Sequence, residues 1–333
     1  MIGAAVIGMG YWGPNLARNF ATADGCALVM CCDKDRRRLE KTARQYPAAT
    51  MTDSLAEVLD NKKVDIVSIA TPVHTHYSLA KAALSAGKHV LVEKPLTGSV
   101  AEAEELVDLA KKNGRVLMVD HTFIYHPAVE KIKDIIRRGE LGDICYYDSV
   151  RINLGLFQHD ISVLWDLAPH DASIMEHLIG KPVKWVQAAG ARHAGQPVES
   201  MAYVTVQFDD NILGHMHVNW LSPVKVRQII VGGGKRMLVY DDNLVTEKVK
   251  IYDRGVELHS IEGIHQAMVQ YRMGDMYAPA IATDEALKRA IQHLVYCIRE
   301  GKSPVTDGAA GLRVVRILEA AERSLSDGSR IML

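Results

Sequence analysis

The chain has 333 residues, 48% of them hydrophobic and 24% charged, with a formal net charge of −1. That length holds two domains, and near-neutral charge gives neither nucleic acid nor an anionic membrane surface a broad electrostatic attraction. Five cysteines, Cys26, Cys31, Cys32, Cys145 and Cys297, form an odd set without metal-ligand spacing, so no metal is expected. Three of them fall in one apolar run and read as small buried hydrophobes of a reducing compartment. The first apolar run has no basic region before it and enters a glycine turn at once, unlike a signal peptide, and no stretch has the length to cross a bilayer. A cytoplasmic protein is expected.

Ala4 to Ile7 reads as a strand that feeds Gly8-Met9-Gly10-Tyr11-Trp12-Gly13, and Leu16, Ala17 and Phe20 then share one helix face. In this strand, turn and helix, Gly8 allows the tight turn, Gly10 lets the backbone approach a pyrophosphate, and Gly13 lets helix and strand pack. The helix start then presents free N–H groups and the positive dipole end to the phosphates. A second apolar run, Cys26 to Cys32, ends at Asp33, where a dinucleotide fold places the acid that binds a ribose 2′-hydroxyl. NAD is therefore the expected cofactor. The neighbouring Arg36-Arg37-Arg38 reads as a solvated helix face or as a contact for an adenosine 2′-phosphate. Asp33 argues against the second, because a carboxylate there repels a phosphate.

A charged helix at 36–45 and a short one at 54–59 precede the buried strand Val64 to Ala70, which ends in Thr71-Pro72-Val73-His74-Thr75-His76. A helix from Tyr77 stops at Gly87; the strand His89 to Val92 ends in Glu93-Lys94-Pro95; the helix Val100 to Asn113 leads to the strand Arg115 to Val119 and then Asp120-His121. Nearly all-apolar strands alternating with helices predict a doubly wound parallel sheet, with ligands at the carboxyl ends of the strands. Beyond residue 123 the rhythm changes. After a helix at 127–138, strand-like runs cover 144–153, 183–189, 201–208, 212–220, 224–231, 237–240 and 249–252. One helix, Pro169 to Leu178, interrupts them. Helices at 285–299 and 308–325 close the chain. The expected class is α/β, with a cofactor domain at 1–122 and, at 123–333, an α+β domain built on an open, mostly antiparallel sheet.

Two places carry chemistry. Lys94 stands at a strand end, with Pro95 fixing the turn; it reads equally as a group over a nicotinamide or as a surface lysine. Asp166 and His170 are four apart and share a face if the segment is helical. Histidine titrates near neutrality, as a general base for an alcohol should, and a carboxylate beside it orients the ring. The same residues also fit a cap by Asp166 or Asp171 and a structural histidine. Arg151 with Asn153, and Lys225 with Arg227, share strand faces and are candidate sugar and diphosphate contacts. Trp165 and Trp220 are sugar platforms or, by default, core.

Gly8-x-Gly10-x-x-Gly13, Thr71-Pro72-x-x-Thr75-His76, Glu93-Lys94-Pro95 and Asp166-x-x-x-His170 together resemble the Gfo/Idh/MocA oxidoreductase family over nearly the whole chain. The resemblance implies an N-terminal Rossmann domain that holds NAD through Gly8, Gly10, Tyr11, Trp12, Gly13, Asp33, Thr71, Pro72, His76, Glu93 and Lys94. It also implies a second domain for substrate binding and oligomerisation. Lys94 and His170 are then the catalytic pair, and Asp166 holds substrate or histidine. GYWGPNLARNF, HTFIYHPAV, LWDLAPHD and NWLSPVKVR further resemble the branch that oxidises the 3-hydroxyl of nucleotide-linked N-acetylamino sugars, whose 3-keto product goes to an aminotransferase. UDP-N-acetylglucosamine and its uronic acid are the implied substrates, with Arg151 and Asn153 as sugar contacts. This sequence has Tyr125-His126-Pro127 where that branch commonly shows Tyr-Asn-Pro. A homodimer or homotetramer is expected. The alternatives are a reductase of keto-deoxysugar nucleotides, a dehydrogenase of cyclitols or free sugars, and a sensor of nicotinamide that has lost the chemistry.

Overall fold

Ile2–Ile7 (β1) is apolar along its length because helices cover both faces of a parallel sheet. The computed structural model describes all residues except 156–160, 194, 196 and 260–267. β1 runs parallel to Cys26–Cys32 (β2), which pairs with the short Thr50–Thr52 (β3), a strand too brief to show in the sequence pattern. On its other side lie Ile66–Ile69 (β4), His89–Glu93 (β5) and Leu117–Asp120 (β6), giving the order β3-β2-β1-β4-β5-β6, parallel throughout. The intervening helices are Gly13–Thr22 (α1), Arg36–Gln45 (α2), Leu55–Asp60 (α3), His76–Ser85 (α4) and Val100–Lys112 (α5). Ser54 and Ser99 accept backbone N–H groups at the starts of α3 and α5. This is the doubly wound sheet read from the sequence.

The chain divides into two compact units, 1–126 with 284–319, and 127–283 with 320–333. The expected boundary at 122/123 thus falls at 126/127, and a C-terminal stretch assigned to the second domain packs with the first. The reason is apolar periodicity. Leu287, Ala290, Ile291, Leu294 and Val295 of Ala286–Glu300 (α8) are buried in one cluster with Leu16, Phe20 and Tyr125. The next segment covers the open edge of the parallel sheet: the Val119 N–H donates to the Thr306 carbonyl at 2.8 Å. The helix Gly308–Asp327 (α9) then packs so closely on β6 that a Cβ at Gly311 would lie 2.5 Å from Val119. Cys26, Cys31, Cys32 and Cys297 are buried free thiols, and burial pushes Cys31 up to about 12.

The second unit begins with Pro127–Arg137 (α6) and contains Ile144–Leu154 (β7), Val163–Ile179 (α7), Val183–Ala191 (β8), Met201–Phe208 (β9) and Leu213–Asn219 (β10). Leu221–Gly233 (β11), Met237–Asp241 (β12), Val249–His259 (β13), Met268–Tyr277 (β14) and Ile331–Met332 (β15) complete it. The order is β14-β13-β12-β11-β7-β10-β9-β8-β15; β10 and β7 pair in parallel and the other neighbours are antiparallel. The expected open, mostly antiparallel sheet is there. α7 packs on β10, β7 and β9. On that face Tyr147, Ser149, Arg151, Val204, Val206, Met216 and Val218 are buried.

Candidate active site

In the first unit the turn after β1 works as its glycines require. Gly8 has φ +92°, and a Cβ there would lie 2.5 Å from the Ala70 carbonyl oxygen; one at Gly13 would lie 1.9 Å from that of Gly8. Both positions exclude a side chain. Gly13 therefore serves the turn itself as much as the packing of helix on strand. Gly10 differs: a Cβ there would meet only Arg38 Nη1, at 3.5 Å, so its bare backbone faces open space. No side chain caps α1 and its first turn carries no acid, leaving the helix start available to an anion.

That open space is a cavity of about 700 Å3 along the carboxyl ends of the strands. Of the expected cofactor residues, Gly8, Gly10, Tyr11, Trp12, Asp33, Thr71, Pro72, Glu93 and Lys94 line it. Gly13 and His76 do not. His76 is buried behind the wall, with Nδ1 2.8 Å from the Pro95 carbonyl oxygen and Nε2 2.8 Å from that of Thr71. It clasps the turn after β4 to the turn after β5; burial lowers its pKa, and the two carbonyls oppose that shift. The Lys94–Pro95 peptide between those elements is cis.

Glu93 and Asp120 are register partners on β5 and β6. Glu93 Oε2 accepts the Lys94 N–H at 3.1 Å, whereas its Oε1 is shut from solvent without a hydrogen-bond partner among the described residues. Burial, then the neighbouring Asp120, raises the Glu93 carboxyl well above the carboxylate range. Asp120 accepts from Trp12 Nε1 at 3.1 Å and from Thr122 at 2.7 Å, tying the glycine turn to the end of β6. His121 is 1% exposed, and burial followed by the Lys94 charge pushes its pKa down to about 3. It is neutral at physiological pH and cannot take up a proton there. A bare glycine backbone, an uncapped helix start and an unsatisfied Glu93 oxygen fit a dinucleotide's phosphates and hydroxyls.

In the second unit the expected helix at Pro169 begins six residues earlier, at Val163, and Pro169 lies inside it. A proline there removes the N–H that would bond the Trp165 carbonyl, a cost that packing offsets because α7 is buried nearly all round. Between Ser162 and Met175 every residue is buried except Asp166, Leu167 and His170. Those three form one stripe, with Asp166 and His170 a turn apart as expected. Asp166 Oδ2 accepts the Trp220 indole N–H at 3.1 Å, and Trp220 is core, not platform. Trp165 is buried as well. Arg151 is 4% exposed, with Nε 2.6 Å from Asp171 Oδ2 and Nη2 3.3 Å from Oδ1. Its guanidinium anchors α7 to β7, a role the sequence reading missed because it took Asp171 for a cap. Arg227 lies opposite Arg151 and pairs with Asp242 at 3.5 Å, whereas Lys225 is exposed. Among the described residues no group of three or more His, Cys, Asp or Glu is placed to hold a metal ion, and no helix is long and apolar enough to cross a membrane.

A parallel sheet with a glycine-turn cavity at its carboxyl edge, joined to an open-sheet unit bearing an acid–histidine stripe, defines a nicotinamide-dependent oxidoreductase architecture. The chain belongs to the GFO/IDH/MocA oxidoreductase family: residues 2–121 match its NAD-binding Rossmann fold and residues 129–239 its C-terminal domain. It is 27% identical to the UDP-N-acetylglucosamine 3-dehydrogenase of Acidithiobacillus ferrooxidans, over 93% of each chain. The solved structure of that enzyme, GnnA, superposes with a TM-score of 0.82 at 25% identity, covering 98% of this chain and 99% of the other. A scyllo-inositol 2-dehydrogenase (NAD(+)) of Bacillus subtilis is 25% identical over 99% of this chain and 95% of its own.

Proposed function

We propose that this oxidoreductase removes hydride from C3 of a UDP-linked N-acetylamino sugar, leaving a 3-keto sugar. The observation that carries the catalytic part is the α7 stripe, which leaves Asp166 and His170 open on an otherwise buried helix. Similarity to a UDP-N-acetylglucosamine 3-dehydrogenase over 93% of both chains supports the substrate.

NAD, when bound, accepts the hydride. Gly8, Gly10, Trp12, Asp33, Thr71, Pro72 and Glu93 hold it, the carboxyl of Glu93 acting as a neutral hydrogen-bonding group. Lys94 donates a hydrogen bond to the substrate's 3-oxygen and stabilises its developing alkoxide character. His170 takes the proton from that oxygen, and Asp166, held by the Trp220 indole, orients substrate or ring. Asn153, half-exposed on the α7 side of β7, contacts the sugar. The keto product suits an aminotransferase as next enzyme, and the open sheet of the second unit joins copies into a dimer or tetramer.

The test is NADH formation at 340 nm with UDP-N-acetylglucosamine, its uronic acid, dTDP-sugars and myo-inositol, each with a carbonyl trap or an aminotransferase and glutamate to draw off product. Turnover with a UDP-amino sugar, lowered roughly 10²–10⁴-fold by His170→Ala while NADH still binds, is the expected result. Likeness to a scyllo-inositol dehydrogenase favours a cyclitol as the second reading. Turnover confined to myo-inositol would establish that reading and sink the first.

A further inference from the structure

We propose that the adenosine end of the cavity accepts a 2′-phosphorylated dinucleotide as well as NAD, with Arg38 as the side chain that meets the phosphate and sets the preference. The inference rests on the reading of this cavity as the cofactor site and is independent of the sugar.

A strict NAD site keeps an uncompensated carboxylate at the end of β2, ready for ribose hydroxyls and repelling a phosphate. Asp33 is not in that state. Its Oδ2 accepts the Met9 N–H at 2.6 Å, its Oδ1 accepts the Asp35 N–H at 2.7 Å, and Arg38 Nη1 lies 3.5 Å from Oδ2. Two backbone dipoles and a guanidinium thus offset its charge. The charged side chains lining this end are Asp33 and Asp53 against Lys34 and Arg38, so the wall is electrically balanced.

The three consecutive arginines are not equivalent. Arg36 reaches toward Asp53 at 3.9 Å and Arg37 is drawn to Asp35 at 3.2 Å, with side chains 85% and 89% exposed. Only Arg38 lines the cavity, 52% exposed and beside the bare backbone of Gly10. Its two carboxylate contacts, 3.5 Å to Asp33 and 3.8 Å to Asp35, are long, which leaves a five-donor fork able to turn onto a phosphate. Arg38 also sits in the first turn of the ten-residue α2, where the dipole's positive end reinforces anion binding. Lys34, whose Nζ donates to the Asp53 carbonyl at 3.0 Å, adds a second cation on the same wall.

The experiment is equilibrium titration of the whole protein with NADH and with NADPH, followed by nicotinamide fluorescence without sugar, for wild type and Arg38→Ala. In wild type the two dissociation constants are expected within about tenfold of each other, a gap of about 1.4 kcal/mol. Loss of a charge-assisted bond to phosphate should weaken NADPH about 10- to 100-fold in Arg38→Ala, well beyond the change in NADH. The NADPH affinity of wild type should also fall the more steeply as salt is raised. Wild type that binds NADH and discriminates against NADPH by more than about a hundredfold overturns the proposal alone, since an uncompensated Asp33 accounts for that ratio. Equal losses for both cofactors in Arg38→Ala overturn it too. Binding of neither cofactor by wild type overturns the reading of the cavity together with the proposal.

Discussion

Gly10 and Gly13 stand three residues apart in one turn and do opposite jobs, which substitution separates. A Cβ on Gly13 would collide with the Gly8 carbonyl oxygen at 1.9 Å, so the turn backbone must move. Gly13→Ala should therefore lose on the order of 1–3 kcal/mol of stability, the usual cost of overpacking. On Gly10 the same atom makes only an ordinary 3.5 Å contact with Arg38, and Gly10→Ala should unfold within about 0.5 kcal/mol of wild type. Its Cβ nevertheless occupies the path of a pyrophosphate, so NADH affinity should fall tenfold or more, about 1.4 kcal/mol. Urea midpoints and NADH titration of the two variants check this; equal stability losses, or unaltered NADH binding by Gly10→Ala, would contradict it. The sequence names these glycines but cannot rank them, because the distinction lies in which atoms stand opposite each α-carbon. His76 illustrates the same gap: its motif places it at the right strand end, and only packing shows it bonded to two backbone carbonyls away from the cavity.

At the scale of elements the parallel sheet was legible because each strand is an apolar run closed by a turn signal, and each crossover helix carries its own cap. The second unit was less so. β14 went unread: its Met268–Tyr277 sequence lacks clean alternation, and its pairing with β13 shifts register between Tyr252 and Arg254, where a Cβ on Gly274 would meet the Asp253 carbonyl oxygen at 2.3 Å. α7 was read from Pro169 onward since proline marks helix starts, whereas burial on nearly every side holds the helix through it. The element is fastened to β7 by Arg151 and Asp171, a buried pair that sequence spacing of 20 residues cannot announce. Arg151→Met strands the Asp171 charge and should cost about 3–5 kcal/mol, while Arg151→Met with Asp171→Leu should regain most of that loss. A double-mutant cycle on urea midpoints measures it. Additive losses in the double variant would mean that the pair does not act as a unit.

At the scale of the molecule, a formal charge of −1 is spread unevenly over surfaces. The face of the nine-stranded sheet turned away from α7 presents Tyr146, Val150 and Ile152 from β7, His215 and His217 from β10, Tyr203 and Thr205 from β9, and Val226, Gln228 and Ile230 from β11. Along these four central strands Asp148 is the one carboxylate on that face. Tyr203 is 40% exposed yet stacks on His217 with ring centroids 4.4 Å apart, and Leu213 beside them is 42% exposed. So broad a sheet surface with so little charge has the composition of a protein–protein contact, and the proposed occupant is a second copy of the chain. Leu213→Glu together with Tyr203→Glu would set like charges into a contact formed between copies, while both positions are open enough to leave the unit's core unaltered. Light scattering on the eluting protein should give a dimer or tetramer for wild type and a lower mass for the variant. A wild-type monomer at micromolar concentration, or an unchanged mass for a variant whose far-ultraviolet circular dichroism matches wild type, would move self-association off this face.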